Sequence, residues 1–469
     1  MAHQPPLLLL LLLLAPTTAI NPGGFPNGVL KSPRGWRSWN AVMEDVTQQF
    51  ITRQVDALTV RRLSVAGKPT SLLDLGFDRV GIDAGWNLCT GVNGSWHDES
   101  GHFIIDKTRF PDMKAMTTHA HSVGVKMDFY LNQDGLCPEG RIPGAAANTG
   151  NPHYVNDAND AAELGFDGIK TDSGGGNNNM TLWAEAVNAT GREMVIECCN
   201  TGGCVGPIPA KTGATPPDFC PFNMFRTGID IAPSPLSTVS NLLDTSRFLN
   251  SSRPGCWAYP DMLELGAPVV GPHAARNQPS RGRQSHSVCN STDGTAGDSA
   301  PRLSLEQGKA QFAGWCTVSS PLVLGFDLAN ETEYDRWWPF LSNPRALSIQ
   351  SSWAGSAGRL VEQSPLNFTT VVPHGCTCED MKDTRALPEW TVWVKPLVAD
   401  GSKVAALVIN TMQDKPATVT VALSALGLPP HSSLTETEVW SGKESKLTGD
   451  KWTVALPPGG HQWVIIDAL

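Results

Sequence analysis

The stretch Gly168-Ile169-Lys170-Thr171-Asp172 reads as a short buried strand that ends in an ammonium group and a carboxylate. The preceding residues 161–164 are helical in pattern, and Gly165 stands where a glycine commonly ends a helix. A helix, a glycine and an apolar strand in succession are typical of a protein with a parallel sheet.

The same alternation extends from Gly35 to about residue 350. Strand-like runs occur at 79–83, 125–131, 168–172, 194–197 and 321–324, and helical patterns separate them. Side chains able to contact a ligand are expected at strand ends, namely Trp39, Asp83, Asp172, Glu197 and Asp230. Because the C-terminal strand ends of a (β/α)8 barrel converge on one site, we predict an α/β fold with a (β/α)8 TIM barrel. A doubly wound sheet is the alternative, but no Gly-rich phosphate loop follows the first strand.

The two ends of the chain have different patterns. Leucines fill positions 7–14 and small residues follow up to Ala19, which predicts a signal peptide over residues 1–19. After about residue 355, strand-like runs at 391–394, 404–409, 417–421 and 462–466 are separated by turns. We therefore predict a catalytic barrel over residues 20–355 and a C-terminal antiparallel β-sandwich domain over residues 356–469.

Composition limits the classes of partner. The formal net charge is -10 and no basic run exists, which argues against a nucleic-acid partner. No apolar run of membrane length follows the signal, so no membrane span is expected. Seven N-x-S/T sequons favour export and glycosylation: Asn93, Asn179, Asn188, Asn250, Asn290, Asn330 and Asn367.

The cysteines also favour export. The chain has 11 cysteines, an odd number. An exported protein is expected to pair most of them in disulfides, which leaves at least one thiol free or in an intermolecular bond. Four of them cluster between two predicted strands: Cys198, Cys199, Cys204 and Cys220. A zinc site is the rival interpretation, but the spacings lack a paired CxxC pattern.

A second carboxylate is presented in the same way as Asp172. In the stretch 225–230, Arg226 precedes Asp230 by four residues. Two acids, each beside a cation at a strand end, are what the cleavage of a glycosidic bond requires. In a retaining mechanism the two carboxyl groups stand about 5–5.5 Å apart and face one sugar.

An ordered set of motifs resembles glycoside hydrolase family 27, the α-galactosidases and α-N-acetylgalactosaminidases. The similarity covers nearly the whole chain after the signal. Gly35-Trp36-Arg37-Ser38-Trp39-Asn40 resembles the family's opening GWNSWN, and Gly81-Ile82-Asp83-Ala84-Gly85-Trp86 resembles its IDDCW. Further matches are Arg109-Phe110-Pro111, Lys170-Thr171-Asp172, the Arg226–Asp230 spacing and Pro260-Asp261-Met262-Leu263.

The resemblance implies a secreted retaining exo-glycosidase that hydrolyses terminal α-linked galactosyl residues by double displacement. It makes Asp172 the nucleophile and Asp230 the general acid/base, for which we expect a raised pKa. Substrate contacts are expected from Trp39, Asp83, Lys170, Arg226 and Asp261. No metal or organic cofactor is implied, and the partner is a carbohydrate: an oligosaccharide, a glycolipid or a glycoprotein glycan. The resemblance leaves open whether the chain forms a homodimer.

Three departures leave the specificity open. Ala84 replaces a family Asp that helps to hold the sugar hydroxyls. Gly85 and Gly174 replace two half-cystines, and residues 198–203 replace the segment that contacts the C2 substituent. The alternatives are an α-N-acetylgalactosaminidase, a β-L-arabinopyranosidase, or a catalytically inactive sugar-binding protein on the same scaffold. The expected location is the secretory pathway, ending outside the cell or in a lysosome or vacuole.

Overall fold

A computed structural model describes residues 29–91, 95–132, 153–172, 179–199, 204, 220–266, 302–375, 382–428 and 434–468. Within these ranges no helix combines the length and apolarity that a membrane crossing needs. The predicted signal peptide lies outside the described residues.

The chain alternates strands and helices up to Ser351, as predicted. The first ten strands are β1 (Arg34–Arg37), β2 (Leu63–Val65), β3 (Lys68–Thr70), β4 (Arg79–Gly81), β5 (Lys126–Asn132), β6 (Gly168–Asp172), β7 (Val195–Cys199), β8 (Met224–Arg226), β9 (Trp257–Tyr259) and β10 (Leu322–Leu324). The helices are α1 (Trp39–Val42), α2 (Gln48–Thr59), α3 (Met113–Ser122), α4 (Tyr154–Leu164), α5 (Met180–Ala189), α6 (Pro235–Ser246), α7 (Leu305–Thr317), α8 (Glu331–Leu341) and α9 (Pro344–Ser351).

Eight of these strands form one parallel sheet in the order β10-β1-β4-β5-β6-β7-β8-β9. The ring closes beyond β9, where Leu263 forms a parallel bridge with Leu324 and its N–H donates to the carbonyl of Val323 at 2.8 Å. The predicted (β/α)8 barrel is therefore confirmed, with the β2–β3 hairpin added after α2.

Local chemistry explains where the elements begin and end. Gly165 ends α4 with a φ of 87°, a left-handed conformation that favours glycine. The N-terminus of α7 has a capping box, in which Ser304 and Gln307 satisfy each other's backbone N–H groups. Strand β6 is buried over Gly168–Thr171, and only Asp172 at its end is partly exposed. The strand therefore delivers one carboxylate from the core to the barrel mouth.

The C-terminal part is a two-layered antiparallel structure, which confirms the predicted sandwich. Its strands are β11 (Arg359–Gln363), β12 (Asn367–Pro373), β13 (Lys382–Pro388), β14 (Trp390–Pro396), β15 (Lys403–Asn410), β16 (Ala417–Ala422), β17 (Leu434–Glu438), β18 (Glu444–Leu447), β19 (Lys451–Leu456) and β20 (His461–Ala468). Six form a sheet in the order β11-β14-β15-β20-β17-β18, and the β16–β19 pair covers one face of it.

The other face of that sheet packs on the barrel. Side chains alternate along a strand, so Trp393, Leu407 and Trp463 point away from the sandwich core and join the barrel's apolar core instead. Helix α7 contacts β14, β15 and β20 at this junction. The two parts thus share a buried apolar interface.

Lys395 is a buried amine in this interface, and burial lowers its pKa to about 7. It has no exposed surface, and its Nζ donates to the carbonyl oxygens of Ile349, Gln350 (3.1 Å) and Cys316 (3.5 Å). These carbonyls stand at the C-terminal ends of α7 and α9, where the last turn lacks intrahelical donors and carries partial negative charge. The Lys395 amino group therefore joins the C-terminal domain to two barrel helices.

We predict that Lys395→Met destabilises the protein by about 3 kcal/mol, because it leaves three buried carbonyls without their donor. Lys403→Met is the matched control. Lys403 is 39% exposed and pairs with Asp467 at 2.7 Å, so its loss should cost less than about 1 kcal/mol. Thermal and urea unfolding measure both, and equal losses of stability would contradict the role given to Lys395.

Candidate active site

A cleft of about 130 Å³ opens at the C-terminal end of the barrel strands. Seven residues predicted from the sequence to be catalytic or to contact substrate line it together: Trp39, Asp83, Lys170, Asp172, Arg226, Asp230 and Asp261. They lie on, or within four residues after, five different strands and up to 222 residues apart in the chain, so only closure of the barrel brings them together. This convergence is the arrangement that the barrel fold favours for a site.

The first half of the cleft is organised around Lys170. Its Nζ lies 2.8 Å from Asp83 Oδ2 and 3.8 Å from Asp172 Oδ2. Burial opposes the charged ammonium, but the carboxylates of Asp83 and Asp172 outweigh it and raise the pKa of Lys170. Tyr130 hydrogen bonds to Asp172 through its hydroxyl. Asp172 thus has a cation and a hydrogen-bond donor beside it.

Asp83 is the buried anchor of this group. Its side chain is 2% exposed, Oδ1 accepts from the N–H of Ala84 at 2.9 Å, and its own N–H donates to Ser38 Oγ at 2.9 Å. It lies two residues beyond the end of β4 rather than in the strand as expected. The shorter strand still places Asp83 in the cleft.

The second half is organised around Arg226, the last residue of β8. Its Nη1 donates to Asp230 Oδ1 and lies 3.7 Å from Asp261 Oδ2. Asp261 is buried, and it accepts the N–H groups of Ile231 (2.9 Å) and Met262 (2.6 Å). The side chain of Asp230 is 47% exposed and therefore accessible to a substrate.

The pKa values of the two acids beside Arg226 differ in direction. Arg226 lowers the pKa of Asp230, against an opposing effect of burial. The expectation of a raised pKa for Asp230 is therefore wrong for the ligand-free protein, because the guanidinium contacts this carboxyl directly. Burial, with the like charge of Asp230 adding to it, raises the pKa of Asp261 to about 6 although Arg226 opposes this.

Glu197 does not end its strand, which corrects the sequence prediction. It lies in the middle of β7, opposite Lys170, and the strand continues to Cys199. An acid is tolerated there because Arg37 from β1 pairs with both of its oxygens and the Tyr259 hydroxyl donates to it. Burial would raise the pKa of Glu197, but Arg37 outweighs burial and lowers it. This network lies within the barrel and supports the cleft from inside.

Some features of the cleft were not predicted. Trp39 begins helix α1 rather than ending a strand, and it is partly buried beside the apolar cluster that includes Tyr259 and Met262. Glu44 also lines the cleft and had no motif to mark it. Tyr130, within β5, also lines the cleft. Ala84 stands in the wall where the family pattern has a carboxylate.

The cysteines form disulfides rather than a metal site within the described ranges. Cys198 pairs with Cys204 and Cys220 pairs with Cys256, while Cys199 and Cys316 are free and buried. No group of His, Cys, Asp and Glu in the described part of the chain is arranged to hold a metal ion.

Comparisons with known proteins identify the family. The family model described as "Alpha galactosidase A" matches residues 32–279, and that described as "Alpha galactosidase C-terminal beta sandwich domain" matches residues 388–466. The chain is 24% identical to alpha-galactosidase 3 of Arabidopsis thaliana, over 89% of this chain and 77% of that protein. It is 25% identical to the alpha-N-acetylgalactosaminidase of Gallus gallus, over 92% of this chain and 93% of that protein.

Solved structures agree on the fold. The crystal structure of alpha-galactosidase I from Mortierella vinacea matches with a TM-score of 0.65 and 19% identity, over 94% of this chain and 99% of that one. A family 27 β-L-arabinopyranosidase from Geobacillus stearothermophilus matches with a TM-score of 0.67 and 17% identity, over 94% and 98%. The first family match covers more than half of the chain and the cleft stands where this fold places its site, so the protein belongs to the α-galactosidase family, glycoside hydrolase family 27, and is a glycoside hydrolase.

Proposed function

We propose that this protein is a retaining exo-glycosidase that removes terminal α-linked galactosyl units, with Asp172 as nucleophile and Asp230 as general acid/base. The observation that carries the proposal is the convergence of both carboxyls on one cleft, each beside its own cation. The similar proteins named alpha-galactosidase from Arabidopsis thaliana and Oryza sativa support the choice of sugar.

In the first step Asp172 attacks the anomeric carbon and the glycosidic bond to the leaving oxygen breaks. Asp230 donates its proton to that oxygen, so the sugar becomes bonded to Asp172 and the remainder departs as an alcohol. Lys170, 3.8 Å from Asp172 Oδ2, and the Tyr130 hydroxyl, which hydrogen bonds to the carboxyl, orient Asp172 for the attack. In the second step Asp230 removes a proton from water, the water oxygen bonds to the anomeric carbon, and Asp172 is released as a carboxylate.

The remaining cleft residues bind the sugar in this proposal. Asp83, Lys170, Arg226 and Asp261 supply donors and acceptors for its hydroxyls, and the Trp39 indole offers a flat apolar face to the ring. The small volume of the cleft favours one terminal sugar unit and hence exo action.

Ala84 supports a second candidate. With a methyl group in place of a hydroxyl-binding carboxylate, the preferred sugar could be an N-acetylgalactosamine or an arabinopyranose, or the protein could bind a sugar without cleaving it. The two catalytic-type carboxyls argue against the last of these. Turnover of a panel of aryl α- and β-glycosides separates all of these outcomes.

We also propose the division of the chain and its destination. Residues 1–19 act as a signal peptide, the barrel domain extends to residue 355, and the sandwich domain begins at residue 356, within the segment between the end of α9 and the start of β11. The disulfides favour an oxidising compartment, and occupied sequons would mark passage through the secretory pathway. The protein then acts outside the cell or in a lysosome or vacuole.

We predict that Asp172→Asn reduces kcat by on the order of 10³-fold or more on every substrate that the wild type cleaves, because an amide cannot form the glycosyl ester. Asp56→Asn, an exposed carboxylate on α2 that pairs with His119, is the matched control and should leave kcat unchanged. Initial rates with a 4-nitrophenyl α-galactoside measure both. Near-normal turnover by the Asp172 variant would refute its assignment as nucleophile.

We predict that kcat/KM is highest in acid and falls as pH rises. Asp230 must carry a proton to act as the acid, and Arg226 lowers its pKa in the free enzyme, so the proton is lost early on the basic side. Asp230→Gly should remove this basic limb, and added azide should restore product formation with an activated aryl substrate. A wild-type kcat/KM that stays constant over an assayed range of about pH 5 to 8 would contradict the role of Asp230.

A further inference from the structure

The β12–β13 pair of the C-terminal part contacts the backbone of the loop that carries Asp230. This loop, residues 227–234 between β8 and α6, is called the acid/base loop below. The N–H of Gly375, two residues beyond β12, donates to the backbone carbonyl of Asp230 at 2.8 Å. Gly375 has a left-handed φ of 76°, which favours glycine. A donor from outside the barrel therefore fixes the peptide of a cleft residue.

Arg385 joins the same strand pair to helix α6. Its Nη1 donates to Ser240 Oγ and to Asp244 Oδ2, both at 2.7 Å, and both acceptors belong to α6. Ser240 is buried and the side chain of Asp244 is 15% exposed, so water has little access to these contacts. Shielded hydrogen bonds from a charged donor are stronger and better oriented than exposed ones. Arg385 thus fixes where α6 lies relative to the strand pair.

Helix α6 in turn holds the acid/base loop on both sides of Asp230. Asn241 Nδ2 donates to the carbonyl of Ile229 at 2.8 Å. Ser237 Oγ accepts the N–H of Ala232 at 3.0 Å. Both side chains are fully buried. The position of the loop therefore depends on the position of the helix.

Two pairs of side chains on α6 make these two sets of contacts. Ser237 and Asn241 contact the loop, whereas Ser240 and Asp244 contact the strand pair. Residues four apart lie on the same face of a helix, so each pair presents one face. The helix is a rigid link between the two faces, and a shift of α6 away from the strand pair moves the loop as well.

The family resemblance does not account for this connection. The two family matches cover residues 32–279 and 388–466, and β12 together with nearly all of β13 lies between them. None of the sequence motifs includes Arg385. The contact of the strand pair with the acid/base loop is therefore an observation of the structure alone.

We propose that Arg385 is a positioning residue for Asp230 in the acid step, acting through α6. This role rests on the proposed function, in which Asp230 is the general acid/base. The side chain of Asp230 is 47% exposed, so the loop backbone has a large part in placing its carboxyl. Arg385 is not among the residues that line the cleft, so it acts on the loop and not on the sugar.

Leaving groups provide a specific readout of this role. A leaving oxygen of high pKa needs proton donation from Asp230, whereas a nitrophenolate departs with little help. A misplaced Asp230 therefore slows substrates with poor leaving groups more than activated ones. Damage to the fold or to sugar binding slows both equally, because both substrates present the same sugar.

The experiment compares wild type and Arg385→Met on aryl and methyl glycosides of the sugar that the wild type prefers. Arg345→Met is the matched control, because Arg345 also joins a barrel helix to the C-terminal part, through α9 and the carbonyl of Val439 at 2.8 Å. For Arg385→Met we expect kcat/KM to fall by ~10–100-fold on the methyl glycoside and by less than ~3-fold on the most activated aryl glycoside. The control should keep the wild-type dependence on the leaving group.

A double variant tests whether Arg385 acts through Asp230. In an Asp230→Gly background, Arg385→Met should reduce kcat/KM by no more than ~3-fold on any substrate, because the carboxyl that it positions is already gone. Should Arg385→Met fail to fold, Ser240→Ala removes one acceptor and should change the leaving-group dependence in the same direction by a smaller factor.

Equal losses on all substrates, or a leaving-group dependence like that of the wild type, would overturn the role of Arg385. So would a further large loss on poor substrates in the Asp230→Gly background. A wild type that cleaves no glycoside, or an Asp230→Gly variant with an unchanged leaving-group dependence, would instead refute the proposed function, and the role of Arg385 with it. The two failures are therefore distinguishable.

Discussion

The site depends on two buried cations, each shared between carboxylates at the mouth of a closed barrel. Lys170 lies between Asp83 and Asp172, and Arg226 lies between Asp230 and Asp261. A buried ammonium or guanidinium is stable only when carboxylates compensate for its lost hydration. In each group one acid is buried and anchors the cation, and the other, partly exposed, faces the cleft. The same charge pairing that permits the cations to be buried also presents one partly exposed carboxyl from each group to the cleft.

The sequence predicted much of this because strand ends in a barrel are set by local signals. The helix ending at Gly165 and the strand from Gly168 to Asp172 are readable from neighbouring residues alone. Once two strands of such a barrel are placed, the fold itself brings their C-terminal ends together. The convergence of Asp172 and Asp230 on one cleft could therefore be expected without coordinates.

What the sequence could not predict depends on contacts between distant segments. Glu197 resembled a strand end until its pairing with Arg37, 160 residues earlier, showed why an acid fits inside a strand. The low pKa of Asp230 follows from a direct contact with Arg226 that no spacing fixes. The Gly375 N–H reaches the Asp230 carbonyl from the C-terminal domain, so nothing near Asp230 in the sequence marks this contact.

At Gly85 the chain departs from the family pattern, and hydrogen bonds replace the missing disulfide there. Gly85 stands where a half-cystine is expected, with a φ of 104°, and a Cβ there would lie 2.4 Å from the Glu44 carbonyl oxygen. Arg109 instead joins the two segments, because its Nη1 donates to the carbonyls of both Glu44 and Gly85. A hydrogen-bonded guanidinium thus holds the cleft wall beside Ala84 without a disulfide.

The most direct test of the two-carboxylate account is to trap the glycosyl enzyme. A 5-fluoro glycosyl fluoride of the preferred sugar slows the second step, so the covalent species accumulates and peptide mass spectrometry can locate it. The account predicts one added sugar per chain on the peptide that contains Asp172, and no label in Asp172→Asn. Label on Asp230 or any other residue, or turnover that never forms a covalent species, would contradict it.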